Sequence, residues 1–138
     1  MLVLSDRSAP AAGLQADSRP LVIQLARLGD FLQTTPLLAA LGKPDVLVTP
    51  AQAALARACR HRGQVLMVDP ATLEDAARSQ DSPAMRLARL KGVLGPIWRT
   101  PVTEIYNLNL SALCASIAAG WPDAKLRGWR WNDGKLAG

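Results

Sequence analysis

LVIQLARLGDFLQTTPLLAAL, residues 21–41, is the stretch that decides the fold. Its first five residues are mostly apolar without alternation, which is typical of a strand buried on both faces of a parallel sheet. Apolar residues then recur at helical spacing from residue 31 to residue 41. The stretch therefore predicts a strand, a short turn that ends in Gly29-Asp30, and a helix.

Pro36 leaves the start of this helix open between two interpretations. A proline inside a helix removes one hydrogen bond, and its ring collides with the preceding turn. Either Thr35 caps a helix that begins at Pro36, or the helix begins near Asp30 and bends at Pro36.

The rest of the chain repeats the alternation of short apolar runs with helical patterns. Four further strands are predicted, at residues 45–49, 64–69, 102–108 and 125–129. Three further helical regions are predicted, at residues 50–60, at 70–94 in two pieces, and at 111–119. Strands that alternate with helices predict an α/β fold, with a Rossmann-like parallel sheet and helices on both faces.

Composition fits a single globular domain. The chain has 138 residues, 49% of them hydrophobic, which is enough for one core. We expect residues 1–19 to be a flexible leader, residues 20–131 to form the domain, and residues 132–138 to be a tail. No apolar run approaches the ~18 residues that span a bilayer, and residues 1–20 lack the pattern of a secretory signal.

The formal net charge is +5, and twelve of the sixteen cations are arginine. This surplus favours anionic partners, or it only aids solubility, and the scattered cations leave both interpretations open. Cations at residues 57–62 suit a helix end. Aromatics and arginine at residues 129–131 suit either a stacking patch or a docking surface. Cys59 and Cys114 lack metal-binding spacing, which indicates free thiols and a reducing, cytoplasmic compartment.

The turn after the first predicted strand is the natural ligand site of such a sheet. A dinucleotide-binding turn carries G-x-G-x-x-G, whereas this turn has Gly29 alone, so no cofactor is predicted. Gly29 permits a tight bend or a close approach of the backbone. Asp30 is a candidate general base that takes a proton from a sugar hydroxyl, or it caps the following helix.

Residues 28–38, LGDFLQTTPLL, closely resemble the opening motif of the heptosyltransferase-type glycosyltransferases, family 9. That motif is an apolar strand, a polar loop, Leu/Ile-Gly-Asp, an apolar residue and then Thr-x-Pro or Thr-Thr-Pro. Residues 103–109 and 125–129 resemble a later strand of the same family and its R-x-G-[FW] strand. The similarity covers roughly residues 21–131.

The resemblance implies one half of an inverting glycosyltransferase with a GT-B architecture, in which two Rossmann-like domains face each other across a cleft. This chain corresponds to the half that binds the acceptor, a phosphorylated oligosaccharide or a lipid-linked sugar. The nucleotide-sugar donor is expected on a C-terminal domain or chain, without which this half transfers little. By the resemblance Asp30 is the catalytic base and Gly29 shapes the turn. Arg27 and Thr34 belong to the acceptor loop.

The resemblance further implies lipopolysaccharide-type biosynthesis on the cytoplasmic side of the inner membrane, with peripheral contact to the membrane surface. Nucleic acid is not the expected partner, and no metal is implied. The alternative function is a non-catalytic Rossmann-like module that binds an anionic ligand or a partner domain. A flat, salt-dependent affinity for any polyanion distinguishes this alternative from the acceptor-binding function.

Overall fold

A single parallel sheet organises the protein. The structure is a computed structural model, and it describes residues 19–78, 80 and 82–138. The sheet has the strand order β3-β2-β1-β4-β5. The strands are β1 (Arg19–Ile23), β2 (Asp45–Val48), β3 (Val65–Met67), β4 (Val102–Asn107) and β5 (Lys125–Gly128).

Five helices pack on this sheet within the described residues. They are α1 (Leu28–Leu41), α2 (Pro50–Ala58), α3 (Pro70–Arg78), α4 (Pro83–Trp98) and α5 (Ala112–Ala118). Leu21 and Ile23 of β1 pack in a core with residues of α3, α4 and α5, whereas Val22 packs with residues of α1 and α2. All three side chains are at most 1% exposed. The predicted α/β Rossmann-like fold, with helices on both faces of a parallel sheet, is confirmed.

Helix α1 begins at Leu28 and continues through Pro36, so the interpretation in which Thr35 caps a helix at Pro36 is wrong. Pro36 has no N–H to donate to the carbonyl of Leu32, one turn earlier. The Thr35 hydroxyl donates to this carbonyl at 2.8 Å. The Thr-Pro pair therefore supplies its own replacement for the hydrogen bond that proline removes.

Helix α4 also contains a proline, and it runs four residues past its predicted end. The prediction stopped at residue 94, before Gly95-Pro96, whereas the helix ends at Trp98. The carbonyl that Pro96 leaves without a partner belongs to Gly92, which is exposed. Because solvent can satisfy an exposed carbonyl, this proline costs the helix less than a buried one.

The segment after β5 is a hairpin, and its prediction as a tail at residues 132–138 is wrong. Strands β6 (Arg130–Asn132) and β7 (Lys135–Ala137) pair antiparallel. Asp133 and Gly134 join them with φ angles of 49° and 74°. A two-residue hairpin turn of type I′ needs this left-handed pair, and Asp-Gly is a preferred sequence for it.

The predicted leader falls almost wholly outside the described residues. Only Arg19 of that segment is described, and it opens β1 rather than belonging to a leader. Within the described residues, none of the helices has both the length and the apolar character to cross a membrane.

Candidate functional site

A pocket opens where the chain leaves β1 and β4 in opposite directions. From β1 the chain enters α1 on one face of the sheet, and from β4 it enters α5 on the other. Such a switch point between neighbouring parallel strands is where ligands bind in open α/β sheets. The pocket here has a volume of about 680 Å³, within the range of small-molecule sites. Its described polar lining consists of Gln24, Asp30, Gln33, Thr34, Asn109 and Ser111.

Asn109 ties together the two loops that form the pocket. Its side-chain Nδ2 donates to the carbonyl of Ile23 at 2.8 Å. Its Oδ1 accepts from the N–H of Leu25 at 3.2 Å. Asn109 is only 7% exposed, and these bonds fix the end of β1 against the loop after β4. The floor of the pocket is therefore held by contacts between segments more than eighty residues apart in sequence.

Gln24 and Thr34 extend this floor toward α1. The Gln24 side-chain Nε2 donates to the Thr34 hydroxyl at 3.2 Å, and its Oε1 accepts from the N–H of Ala26 at 3.3 Å. The Thr34 hydroxyl in turn donates to the backbone carbonyl of Asp30 at 2.9 Å. Thr34, predicted as part of the acceptor loop, thus lines the pocket while its hydroxyl hydrogen is engaged by the backbone carbonyl of Asp30.

Asp30 occupies the third position of α1 and also lines the pocket. Its Oδ2 accepts a hydrogen bond from the backbone N–H of Arg27 at 2.9 Å. This contact is half of a capping box, in which the acidic side chain reaches back to the residue before the helix. The Oδ1 oxygen has no hydrogen bond to any described residue. The same carboxylate therefore caps the helix and belongs to a residue that lines the pocket.

Buried Gln52 holds the loop before α1 from its other side. Its side-chain Nε2 donates to the carbonyls of Ala26 and Arg27 at 3.1 and 3.2 Å, and Gln52 is 1% exposed. The loop that carries Asp30 is thus anchored to α2 as well as to β1.

Arg27 and Gly29, both predicted as site residues, do not line the pocket within the described structure. Both are exposed. Gly29 lies in the first turn of α1 rather than in a tight bend, and its φ is not in the left-handed region. A Cβ placed there would meet nothing within 4 Å. The expectation of a tight bend at Gly29 is therefore wrong, because the backbone there is ordinary helix.

Sequence reasoning missed Gln24, Asn109 and Ser111 as site residues. Each follows the carboxyl end of β1 or β4, so the signal for these residues was a polar side chain just after a predicted strand. That signal becomes usable only when β1 and β4 are known to be neighbours, because only then do their carboxyl ends meet.

Two of the other candidate clusters make contacts within the fold. The Arg62 guanidinium donates to the carbonyls of Arg57 and Gly63 at 2.8 and 3.1 Å, which satisfies backbone groups near the end of α2 as the helix-end interpretation predicts. The Trp131 indole donates to the Ser116 hydroxyl at 3.0 Å and holds the hairpin to α5. Among the described residues, no three His, Cys, Asp or Glu side chains group together to hold a metal ion.

Comparison of the chain with protein-family models, with curated proteins and with solved structures finds no match.

Proposed function

We propose that this chain is the acceptor-binding half of an inverting glycosyltransferase similar to family 9, and that Asp30 is its catalytic base. One observation carries the proposal. The Leu-Gly-Asp segment, which gives the chain its resemblance to that family, places the Asp30 carboxylate on the wall of the pocket at the sheet switch point. Active sites of open α/β sheets lie at this edge.

The chemistry assigned to Asp30 is proton abstraction from an acceptor hydroxyl. The Oδ1 oxygen takes the proton while the hydroxyl oxygen forms a bond to the anomeric carbon of the donor sugar. The bond from that carbon to the nucleoside diphosphate breaks, and the diphosphate leaves with its electron pair. Because Oδ2 is held by the N–H of Arg27, the carboxylate is oriented before the acceptor arrives, as general-base catalysis requires.

The nucleotide-sugar donor is assigned to a second domain or chain. A helix N-terminus is a favoured place for a diphosphate, but at α1 the carboxylate of Asp30 already takes the N–H of Arg27. A diphosphate in this pocket would also lie beside a negative charge. The proposal therefore keeps the acceptor on this chain and the donor elsewhere, and it retains the cytoplasmic face of the membrane as the site of action.

The test is a transfer reaction assembled from two halves. The chain is mixed with the donor-binding half of a family 9 heptosyltransferase, ADP-heptose and a lipopolysaccharide-core acceptor, and glycosylated product is measured by mass spectrometry. Product that requires both halves and has inverted anomeric configuration supports the proposal. A chain that binds the acceptor in its pocket, yet gives no product with any donor half, contradicts it.

The alternative function is a non-catalytic module for anionic ligands, and the charge of +5 favours it. Helix α4 carries Arg86, Arg89 and Lys91 and no acidic residue. Affinity for heparin that falls steeply with salt, with amide shifts confined to α4 and not the pocket, would support this alternative.

A further inference from the structure

The pocket differs in charge from the protein around it. The chain carries sixteen cationic residues, yet Asp30 is the one charged side chain among the described residues that line the pocket. Arg27 lies close in sequence but outside the lining. A phosphate or carboxylate in the pocket would meet a carboxylate and no facing cation, which is unfavourable in a partly desolvated site.

The polar groups of the pocket suit uncharged hydroxyls. The amides of Gln24 and Asn109 are buried and already bonded to neighbouring groups, so they form a fixed floor. Ser111 accepts from the N–H of Cys114, which leaves its hydroxyl hydrogen to donate. Gln33 is exposed and carries both a donor and an acceptor, and the Asp30 carboxylate is an acceptor. Donors and acceptors are thus mixed, as recognition of sugar hydroxyls requires.

One side of the pocket is apolar and open to solvent. Leu108 and Leu110, from the loop after β4, are 39% and 67% exposed, and both line the pocket. Leu25, Leu37 and Leu113 line it as well and are partly buried. Covering such surface with an apolar group is favourable in proportion to the area removed from water. The polar floor and the leucine side together are complementary to an amphiphilic ligand.

We infer that the pocket takes a neutral glycoside with a hydrocarbon aglycone, whose sugar hydroxyls meet Asp30, Ser111 and Gln33 and whose hydrocarbon covers Leu108 and Leu110. The inference rests on the proposed function for the pocket being the acceptor site, and it adds the charge class and the aglycone of the acceptor. Any phosphate of the natural acceptor lies outside the pocket.

The test compares four probes by NMR titration of the ¹⁵N-labelled chain. These are n-octyl β-D-glucopyranoside below its micelle concentration, methyl β-D-glucopyranoside, glucose 6-phosphate and inorganic phosphate. We expect saturable shifts at the amides of Asn109, Leu110 and Ser111, with the octyl glucoside bound roughly tenfold more tightly than the methyl glucoside. Tighter binding of glucose 6-phosphate or phosphate in the pocket overturns the inference.

A pair of leucine variants separates contact with the ligand from a general change of surface. Leu110→Ser should reduce the affinity for octyl glucoside to that for methyl glucoside and leave the latter unchanged. Leu28→Ser is the matched control, because Leu28 is 51% exposed but does not line the pocket, and it should change neither affinity. Equal octyl affinities in the two variants would mean that Leu110 is covered by something other than the ligand, and would overturn the inference.

These titrations contain no donor, so their outcome is separate from that of the transfer reaction. Binding of neutral glycosides without transfer contradicts the proposed function alone. Transfer to an acceptor whose phosphate lies in the pocket contradicts the inference alone.

Discussion

The carboxylate of Asp30 accepts a hydrogen bond from the backbone N–H of Arg27, and the two atoms are 2.9 Å apart. Sequence reasoning treated a helix cap and a residue of the ligand site as alternative roles for Asp30. The cap uses Oδ2, and the same side chain lines the pocket. The capping contact holds the carboxylate in place, so it supports a function at the pocket rather than competing with it.

Removing the Asp30 side chain should destabilise the fold more than replacing it with a side chain of the same shape. Asp30→Ala loses the capping contact, and we expect it to lower the free energy of unfolding by about 1 kcal/mol. Asp30→Asn keeps an oxygen that can accept from Arg27 and should lose less than half as much. Urea denaturation measures both values, and equal losses in the two variants would show that the contact contributes nothing.

Alanine at position 29 should stabilise the protein. Gly29 lies in helical backbone with open space where a Cβ would stand, so Gly29→Ala should raise the free energy of unfolding by about 0.5–1 kcal/mol. Gly134→Ala is the contrasting variant, because its φ of 74° is left-handed and alanine there is strained. Thermal unfolding should move upward for the first and downward for the second. A destabilised Gly29→Ala would mean that the turn does need glycine.

The thiol of Cys114 should react slowly. Burial raises the pKa of this thiol, and the hydrogen bond with Ser111 offsets the rise only in part. Because the thiolate is the reactive form, a raised pKa means less thiolate at a given pH. In a Cys59→Ser background, the rate of alkylation by iodoacetamide should still increase with pH at pH values above the ordinary thiol pKa. Since Cys114 lines the pocket, octyl glucoside should slow the reaction. A rate that levels off at or below the ordinary pKa contradicts this.

The pair of Glu104 on β4 and Arg127 on β5 should make stability depend on pH. The hydrogen bond from Arg127 lowers the pKa of the Glu104 carboxyl. Stability from a lowered carboxyl pKa is fully present above the unfolded-state value and is lost as pH falls through the folded-state value. Glu104→Gln should therefore be less stable than the parent at pH 7, and the difference should vanish in acid. Because the pair is exposed, high salt should shrink the difference at pH 7. A difference that is the same at both pH values would show that the charge is not its cause.

The sheet and its helices could be predicted because the first four strands are short, largely apolar runs and the connections are short. The course of α1 through Pro36 could not, since it depends on the Thr35 hydroxyl reaching the Leu32 carbonyl. That contact requires residues 32–35 to be helical, so the sequence pattern alone does not reveal it. The hairpin could have been predicted, because Asp133-Gly134 is a type I′ signal, but the polar residues around it were interpreted as a tail.

The candidate site was predictable on one side only. Asp30 and Thr34 follow directly from the first strand and its turn, and both line the pocket. Asn109 and Ser111 come from the other end of the chain, and only the pairing of β1 with β4 brings them beside Asp30. A motif within one segment can be found from its residues alone. A pocket wall that combines two distant loops can be predicted only when the order of the strands in the sheet is known.

The measurement that tests the role of Asp30 most directly is the transfer rate of Asp30→Asn in the assembled reaction of the two halves. Asparagine retains the cap but cannot accept the proton, so we expect kcat to fall by roughly 10²–10⁴-fold, the usual contribution of a general base, while the acceptor still binds. Asp75→Asn is the control, since Asp75 is an exposed carboxylate on α3 outside the pocket, and its rate should match the parent. An Asp30→Asn rate that also matches the parent would contradict the assignment of Asp30 as the base.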